Sequence, residues 1–270
     1  MTDFLEQVIA ERRADIAAAR AAVPDDQMRA RAQVGPRRPL DQFYQKLRHT
    51  HPLHLAVIAE VKRVSPASGV LVDNFDIVAH AARYVAAGAT AISVLTEHRH
   101  WGGSLADLVA VRAAVDVPIL AKDVFVDAYQ IYEARAAGAD AVLLIAEALE
   151  DDVLRQLIAV ARNLGMSALV EAHEASAFGR AVSIGARVVG INARNLRKPS
   201  DIDVGRVRQL HTFVHADQIL VAESGITSVD DARMLPARVD AVLVGTALMR
   251  ASDPGTLIHG LASIKRTVHA

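Results

Sequence analysis

Lysines and carboxylates recur at one kind of place in this sequence, just after short apolar runs. Glu60 and Lys62 follow the run 55–59, and Lys122-Asp123 follow 118–120. Glu171 follows 168–170, Asn192 follows 188–191, and Glu223 follows 219–222. These residue types suit proton transfer. Burial and neighbouring charges tune a lysine or glutamate toward neutral pH, and a positioned acid or base contributes about 10²–10⁴ in rate. Glu60 and Lys62 are two residues apart, so on a strand they share a face. Buried charges are costly unless paired or used. For any one pair, a rim of salt bridges explains the residues equally well. Repetition at the ends of several strands favours a reaction site.

A second pattern lies nearer the C-terminus. Ser224-Gly225 and Gly245-Thr246 are small, with free backbone N–H groups, and each is expected to precede a helix. Backbone amides at helix starts bind anions, and phosphate sites commonly occupy the loops after the seventh and eighth strands of a barrel. One such turn merely rounds a corner. The pair points to a phosphorylated small molecule.

The elements that must position these groups follow from periodicity. From residue 55 onward, apolar runs at 55–59, 91–95, 118–120, 141–145, 168–170, 188–191, 219–222 and 241–244 alternate with helical stretches such as 76–86, 105–114, 129–137, 151–164, 175–183 and 229–234. Ala87-Gly88-Ala89, Ala137-Gly138-Ala139 and Ile184-Gly185-Ala186 each stand just before a strand, where a glycine closes the preceding helix. Eight strands with both faces covered predict an α/β fold, a (β/α)8 TIM barrel. Strand one leads into Glu60-Val61-Lys62-Arg63 and not a Gly-x-Gly-x-x-Gly turn, which argues against a dinucleotide fold. The first fifty residues read as an N-terminal helical extension: a helix at 4–22, a basic loop at 29–38, and a second helix at 40–47 with Asp41 in its first turn. The 270 residues are taken as a single barrel domain, 1–270, with 1–50 as the extension.

Composition narrows the function. The 30 basic and 31 acidic residues leave a net charge of −1, without the basic excess of a nucleic-acid or membrane-surface protein. With no cysteine, thiolate metal sites, iron–sulfur clusters and cysteine nucleophiles are excluded. Met1 to Arg12 lacks the pattern of a signal peptide, and no apolar stretch approaches the roughly 18 residues needed to cross a bilayer. A cytoplasmic protein is expected. His49, His51 and His54, and His98 and His100, read as surface histidines, because no carboxylate spacing completes a metal-ligand set. His173 reads as a solvated loop histidine.

At this point the residues carry a resemblance. Ile58-Ala59-Glu60-Val61-Lys62-Arg63-Val64-Ser65-Pro66 resembles the first-strand signature of the indole-3-glycerol phosphate synthase family. Ser93-Val94-Leu95-Thr96-Glu97, Lys122-Asp123, Leu169-Val170-Glu171, Gly190-Ile191-Asn192-x-Arg194-Asn195-Leu196, Ala222-Glu223-Ser224-Gly225-Ile226 and Val244-Gly245-x-x-Leu248-Met249-Arg250 are similar to that family's segments in the same order. The resemblance spans nearly the whole chain, N-terminal helices included. It implies an enzyme, a carboxy-lyase of tryptophan biosynthesis. This enzyme closes the indole ring of 1-(2-carboxyphenylamino)-1-deoxyribulose 5-phosphate with loss of carbon dioxide and water, without metal or organic cofactor.

The resemblance also implies roles. Lys122 is the general acid at the ketone. Lys62 holds the substrate carboxylate and assists the loss of water, and Glu60 orients Lys62. Glu171 is the base, Asn192 hydrogen-bonds over the reacting centre, and Glu223 holds the lysines or a substrate hydroxyl. Ser65, Ser224, Gly225, Gly245 and Thr246 bind the phosphate, while Trp101 and Arg194 complete the binding site.

Four positions depart from the family's usual residues. Val124 and Trp101 each stand where phenylalanine is usual, Ala121 where arginine is frequent, and Arg197-Lys198-Pro199-Ser200 where Thr-Phe is common. A compensating repack accounts for them. So does a paralogue acting on a substituted anthranilate-derived substrate. A phosphosugar isomerase of the same barrel type is a further alternative, disfavoured by the missing cysteine. A monomer is expected, with a homo-oligomer or a pathway-enzyme partner left open.

Overall fold

The computed structural model describes residues 3–36, 38–49, 54–65, 69–71 and 75–266. Pro66 and His51 lie outside them. Eight parallel strands close into a barrel: β1 (Ala56–Val61), β2 (Ala91–Leu95), β3 (Ile119–Lys122), β4 (Ala141–Ile145), β5 (Ser167–Ala172), β6 (Val188–Asn192), β7 (Ile219–Glu223) and β8 (Ala241–Val244). Closure joins β1 to β8 with Ala56 opposite Ala241, and to β2 with Ile58 opposite Ala91.

Period-two alternation sorts every strand into two faces. Ala56, Ile58, Leu120, Leu143, Leu169, Val188, Val221 and Leu243 pack together inside the barrel. Val57, Ala59, Ile92, Ile119, Val142, Val170, Val189, Leu220 and Val242 pack outward against the helices. The strands are buried on both faces, so they read as continuous apolar runs.

Several strands extend beyond the predicted runs. Glu60, Lys122, Glu171, Asn192 and Glu223 are strand residues held in the parallel ladder, not the first residues of loops. Their direction is therefore set by the pleat. Each stands an even number of positions from an inward apolar residue: Glu60 from Ile58, Lys122 from Leu120, Glu171 from Leu169, Asn192 from Val188, Glu223 from Val221. All five point into the barrel mouth.

Between the strands run α4 (Ile77–Ala86), α5 (Leu105–Ala114), α6 (Ala128–Ala136), α7 (Asp151–Asn163), α8 (Ala175–Ser183), α9 (Arg206–Leu210) and α10 (Val229–Arg233), and α11 (Thr246–Arg250) and α12 (Pro254–Ala262) follow β8. Side-chain oxygens of Asp76, Ser104, Asp127, Ser228 and Asp253 accept from the first-turn amides of α4, α5, α6, α10 and α12, satisfying donors left without intrahelical partners. Gly88, Gly138 and Gly185 all have positive φ, as helix-closing residues require.

The extension comprises α1 (Phe4–Ala22), α2 (Asp25–Val34) and α3 (Gln42–His49). Most of the stretch expected as a basic loop, 29–38, is helix. Asp25 and Asp26 favour the start of α2, and Met28 and Ala32 are buried. The charged positions are simply its outer face. Asp41 stands just before α3, not in its first turn. It adopts φ 54°, and its carboxylate accepts from Ser167 Oγ and Arg187. Those two bonds offset a left-handed conformation that costs about 1 kcal/mol or more outside glycine. No helix among the described residues is long and apolar enough to cross a membrane.

Candidate active site

Four odd-numbered strands supply one layer of side chains at the carboxyl end of the barrel: Glu60 from β1, Lys122 from β3, Glu171 from β5 and Glu223 from β7. Barrel interiors are filled by such layers of four from alternate strands. Here the last layer is ionic. Lys122 Nζ lies 3.0 Å from Glu223 Oε2, 3.4 Å from Glu171 Oε2 and 4.0 Å from Glu60 Oε2. Lys62 Nζ pairs with Glu60 Oε1 at 2.6 Å. Asn192 Nδ2 donates to Glu171 Oε2 at 3.3 Å, and Asn192 Oδ1 accepts from the Arg194 backbone N–H at 3.0 Å.

Two glycines make room for this layer. A Cβ on Gly190 would come within 2.1 Å of Glu223 Oε1, and one on Gly245 within 2.4 Å of Glu60 Oε1. Gly245 thus has a steric role beside its place in the predicted phosphate set. Gly190, within the family-like segment beginning Gly190-Ile191-Asn192, had no site role assigned from the sequence.

The charges perturb one another. Burial opposes the ammonium of Lys122, but Glu171, Glu223 and Glu60 together outweigh it and hold the proton firmly. Burial raises the Glu223 carboxyl well above the usual range; Glu171 adds to this and Lys122 only partly offsets it. Burial also opposes the charge of Glu60, yet Lys62 and Lys122 keep its carboxyl below the ordinary value. Carboxyl groups within one layer, pushed in opposite directions, are a mark of acid–base assignment. Burial lowers Arg194 against the pull of Glu60, and its guanidinium donates to the Pro199 carbonyl.

A cavity of about 560 Å³ opens over this layer. All thirteen predicted site residues line it: Glu60, Lys62, Ser65, Trp101, Lys122, Glu171, Asn192, Arg194, Glu223, Ser224, Gly225, Gly245 and Thr246. Ser224 has φ 66° and Gly225 φ 75°, a consecutive left-handed pair. This pair does not adjoin a helix as expected, because α10 begins only after its cap at Ser228. The left-handed turn itself orients the amides there. Gly245 does cap α11 directly. Strained backbone at a non-glycine residue persists where surrounding structure over-determines it, and it clusters at functional sites.

The cavity has residues that spacing alone did not reveal. Phe4, Leu5 and Val8 of α1 form part of its wall, with Leu143, Ile145 and Val124. The amphipathic pattern of α1 showed an apolar face, but not that this face meets the barrel mouth. Glu97 is fully buried and accepts from the backbone N–H groups of Arg99, His100 and Trp101 at 2.8, 2.7 and 3.1 Å. It folds the loop that carries Trp101. His173, expected in solvent, is buried, and its Nδ1 donates to the Asn192 carbonyl at 2.9 Å. Glu147 accepts from the His173 and Glu174 amides at 2.7 and 2.8 Å, drawing this segment inward. No group of three His, Asp or Glu side chains among the described residues is spaced to hold a metal ion.

Comparison with known proteins gives a consistent result. The family model described as indole-3-glycerol phosphate synthase matches residues 5–261. A Nocardioides protein named indole-3-glycerol phosphate synthase is 48% identical over 265 residues, 97% of this chain and 98% of that protein. One of the same name from Roseiflexus castenholzii is 44% identical over 262 residues, covering 94% and 96%. Among solved structures, the thiamine phosphate pyrophosphorylase of Pyrococcus furiosus has a TM-score of 0.58 at 18% identity, over 82% of this chain and 96% of that one. A 3-hexulose-6-phosphate synthase has a TM-score of 0.59 at 17% identity, over 78% and 99%. These two share the barrel alone.

Proposed function

The chain belongs to the indole-3-glycerol phosphate synthase family, and from that premise we propose how its inner layer of charges closes an indole ring. The enzyme is a carboxy-lyase of tryptophan biosynthesis. It converts 1-(2-carboxyphenylamino)-1-deoxyribulose 5-phosphate to indole-3-glycerol phosphate, carbon dioxide and water.

The substrate has an apolar ring, a carboxylate, a ketone and a phosphate. The cavity lining includes residue types suited to each of these groups. Phe4, Leu5, Val8, Trp101, Val124 and Leu143 offer an apolar end for the ring. Ser65, Ser224, Gly225, Gly245 and Thr246 offer hydroxyls and backbone amides for the phosphate. Lys62 and Arg194 meet the carboxylate between them.

Lys122 then gives its proton to the ketone oxygen as the ring carbon bearing the carboxylate attacks the ketone carbon. That carbon–carbon bond forms, the bond to the carboxylate breaks, and its electrons restore the aromatic ring as carbon dioxide leaves. The new hydroxyl departs as water with a proton that Lys62 helps to supply. Glu171 takes the proton lost as the indole double bond forms. Glu60 holds Lys62, Glu223 holds Lys122, and Asn192 holds Glu171 in line. The observation that carries this assignment is Lys122 centred among three carboxylates on alternate strands.

The test is product formation by the purified protein, followed by indole fluorescence. Turnover is expected, and its absence at micromolar enzyme overturns the reading. Val124 and Trp101 both line the cavity, which supports a second reading in which the ring carries a substituent. A higher kcat/KM for a ring-substituted substrate than for the parent compound decides for it. The three N-terminal helices and the barrel are proposed to act as one domain. A cytoplasmic monomer working without a cofactor is proposed on the family's ground, with sedimentation giving the mass.

A further inference from the structure

Three basic or ionisable side chains, His98, Arg99 and His100, precede Trp101 in the loop that leaves β2. Each faces an acid on α1. Arg99 Nη2 donates to Asp15 Oδ1 at 2.5 Å, and His98 Nδ1 lies 3.9 Å from Asp15 Oδ2. His100 Nε2 stands 2.6 Å from Glu11 Oε2. Glu11 and Asp15 are four residues apart, so they lie on one side of the helix. Arg12, between them, makes two bonds to Asp123, of 2.9 and 3.1 Å. The helix is thus fastened beside Lys122 where it grips the loop. Phe4, at the start of α1, makes edge contacts with the rings of His100 and Trp101, with centroids 5.0 and 5.8 Å apart.

We infer that Glu11 and Asp15 are positioning residues that hold the β2 loop against α1, so that Trp101 forms one wall of the cavity. The inference rests on the reading of Trp101 as a wall for the substrate's ring. Glu97 folds the loop from inside, but its bonds are local to that loop. The α1 acids are what place the folded loop relative to the barrel mouth. Ion pairs this exposed are individually weak and screened by salt. The latch therefore biases the loop without locking it.

Trp101 is the only tryptophan, so its emission reports the loop directly. The experiment measures Trp101 anisotropy without substrate, and KM and kcat, in the native protein, in Glu11→Gln/Asp15→Asn and in Asp15→Glu. The double variant is expected to lower the anisotropy and raise KM about fivefold, with kcat within about twofold. Asp15→Glu, which retains the carboxylate, is expected to keep both near native. In the native protein the anisotropy falls as KCl rises from about 0.01 to 1 M, where the Debye length shrinks from about 30 to 3 Å. Native anisotropy that ignores salt overturns the inference, as does a folded double variant with unchanged anisotropy and KM. Trp101→Ala separates the two readings. If it leaves KM unchanged, the wall reading fails, while the anisotropy still judges the latch. If it raises KM and the double variant does not, only the latch fails.

Discussion

Lys122 on β3 and Glu223 on β7 meet across the full width of the barrel, with Nζ and Oε2 3.0 Å apart. They are four strands apart in either direction around the sheet. The contact exists only because the sheet closes. Glu171 and Glu60, from β5 and β1, complete the ring around the ammonium.

Removing that ammonium tests the proton donor. Lys122→Ala is expected to lower kcat by about 10²–10⁴, the usual contribution of a positioned acid. Steady-state kinetics check this, with circular dichroism showing that the variant is folded. An unchanged kcat takes Lys122 out of the role.

The two glycines test how finely the layer is placed. Gly190→Ala and Gly245→Ala force Glu223 and Glu60 aside, since the added Cβ meets their oxygens at 2.1 and 2.4 Å. Glu223 and Glu60 hold Lys122 and Lys62, and a misplacement of about 1 Å passed on to a reacting group costs on the order of 10² in rate, so kcat/KM is expected to fall about 100-fold. Gly179→Ala is the control. It lies within α8 with nothing near its Cβ position, and it is expected to stabilise the fold by about 0.5–1 kcal/mol with kcat/KM unchanged.

Glu223 sets a pH dependence. Its folded-state carboxyl is raised above the ordinary 4.5, by burial first and by Glu171 next. The folded protein therefore keeps a proton that the unfolded chain has released. Stability is greatest below the unfolded value and declines as pH rises through the raised one. Glu60 has the opposite sign, because Lys62 and Lys122 overcome burial and lower it. Its contribution is present above the ordinary value and is lost as pH falls through the lowered one. Glu223→Gln is expected to flatten the fall in Tm as pH rises from the ordinary carboxyl value of 4.5 through the raised one, and to lower kcat. Calorimetry across that range checks the slope, and a variant slope equal to the native one removes Glu223 as its source.

Arg12 and Asp123 form a pair with side chains 11% and 4% exposed. Breaking a buried pair from one side leaves an uncompensated charge and costs about 3–5 kcal/mol. Arg12→Met is expected to lose that much in urea unfolding. Arg12→Met/Asp123→Asn is expected to lose less, because the stranded charge is gone. Equal losses assign the effect to packing of the arginine stem.

By itself, the sequence determined the alternation of strand and helix, two of the three N-terminal helices and the residues at the strand ends. Those features are local. Apolar runs, glycine helix stops and acidic first turns act within a few residues. Even the inward direction of the site was contained in it, because Glu60, Lys122, Glu171 and Glu223 each share parity with an apolar residue two positions earlier. Strand ends were misjudged because runs were stopped at or just before the first charged or amide side chain. The parallel ladder continues through such a residue wherever a neighbouring strand offers bonds.

Only the tertiary structure decided which charges meet. Closure of the barrel brings alternate strands into one layer, a relation between residues 49 to more than 100 positions apart. It also turned an apolar helix face into a cavity wall at Phe4, Leu5 and Val8, and drew His173 out of solvent. The physical reason is the same in each case. A side chain's period fixes the face on which it lies, while the partner on that face is supplied by distant chain that packing alone brings near.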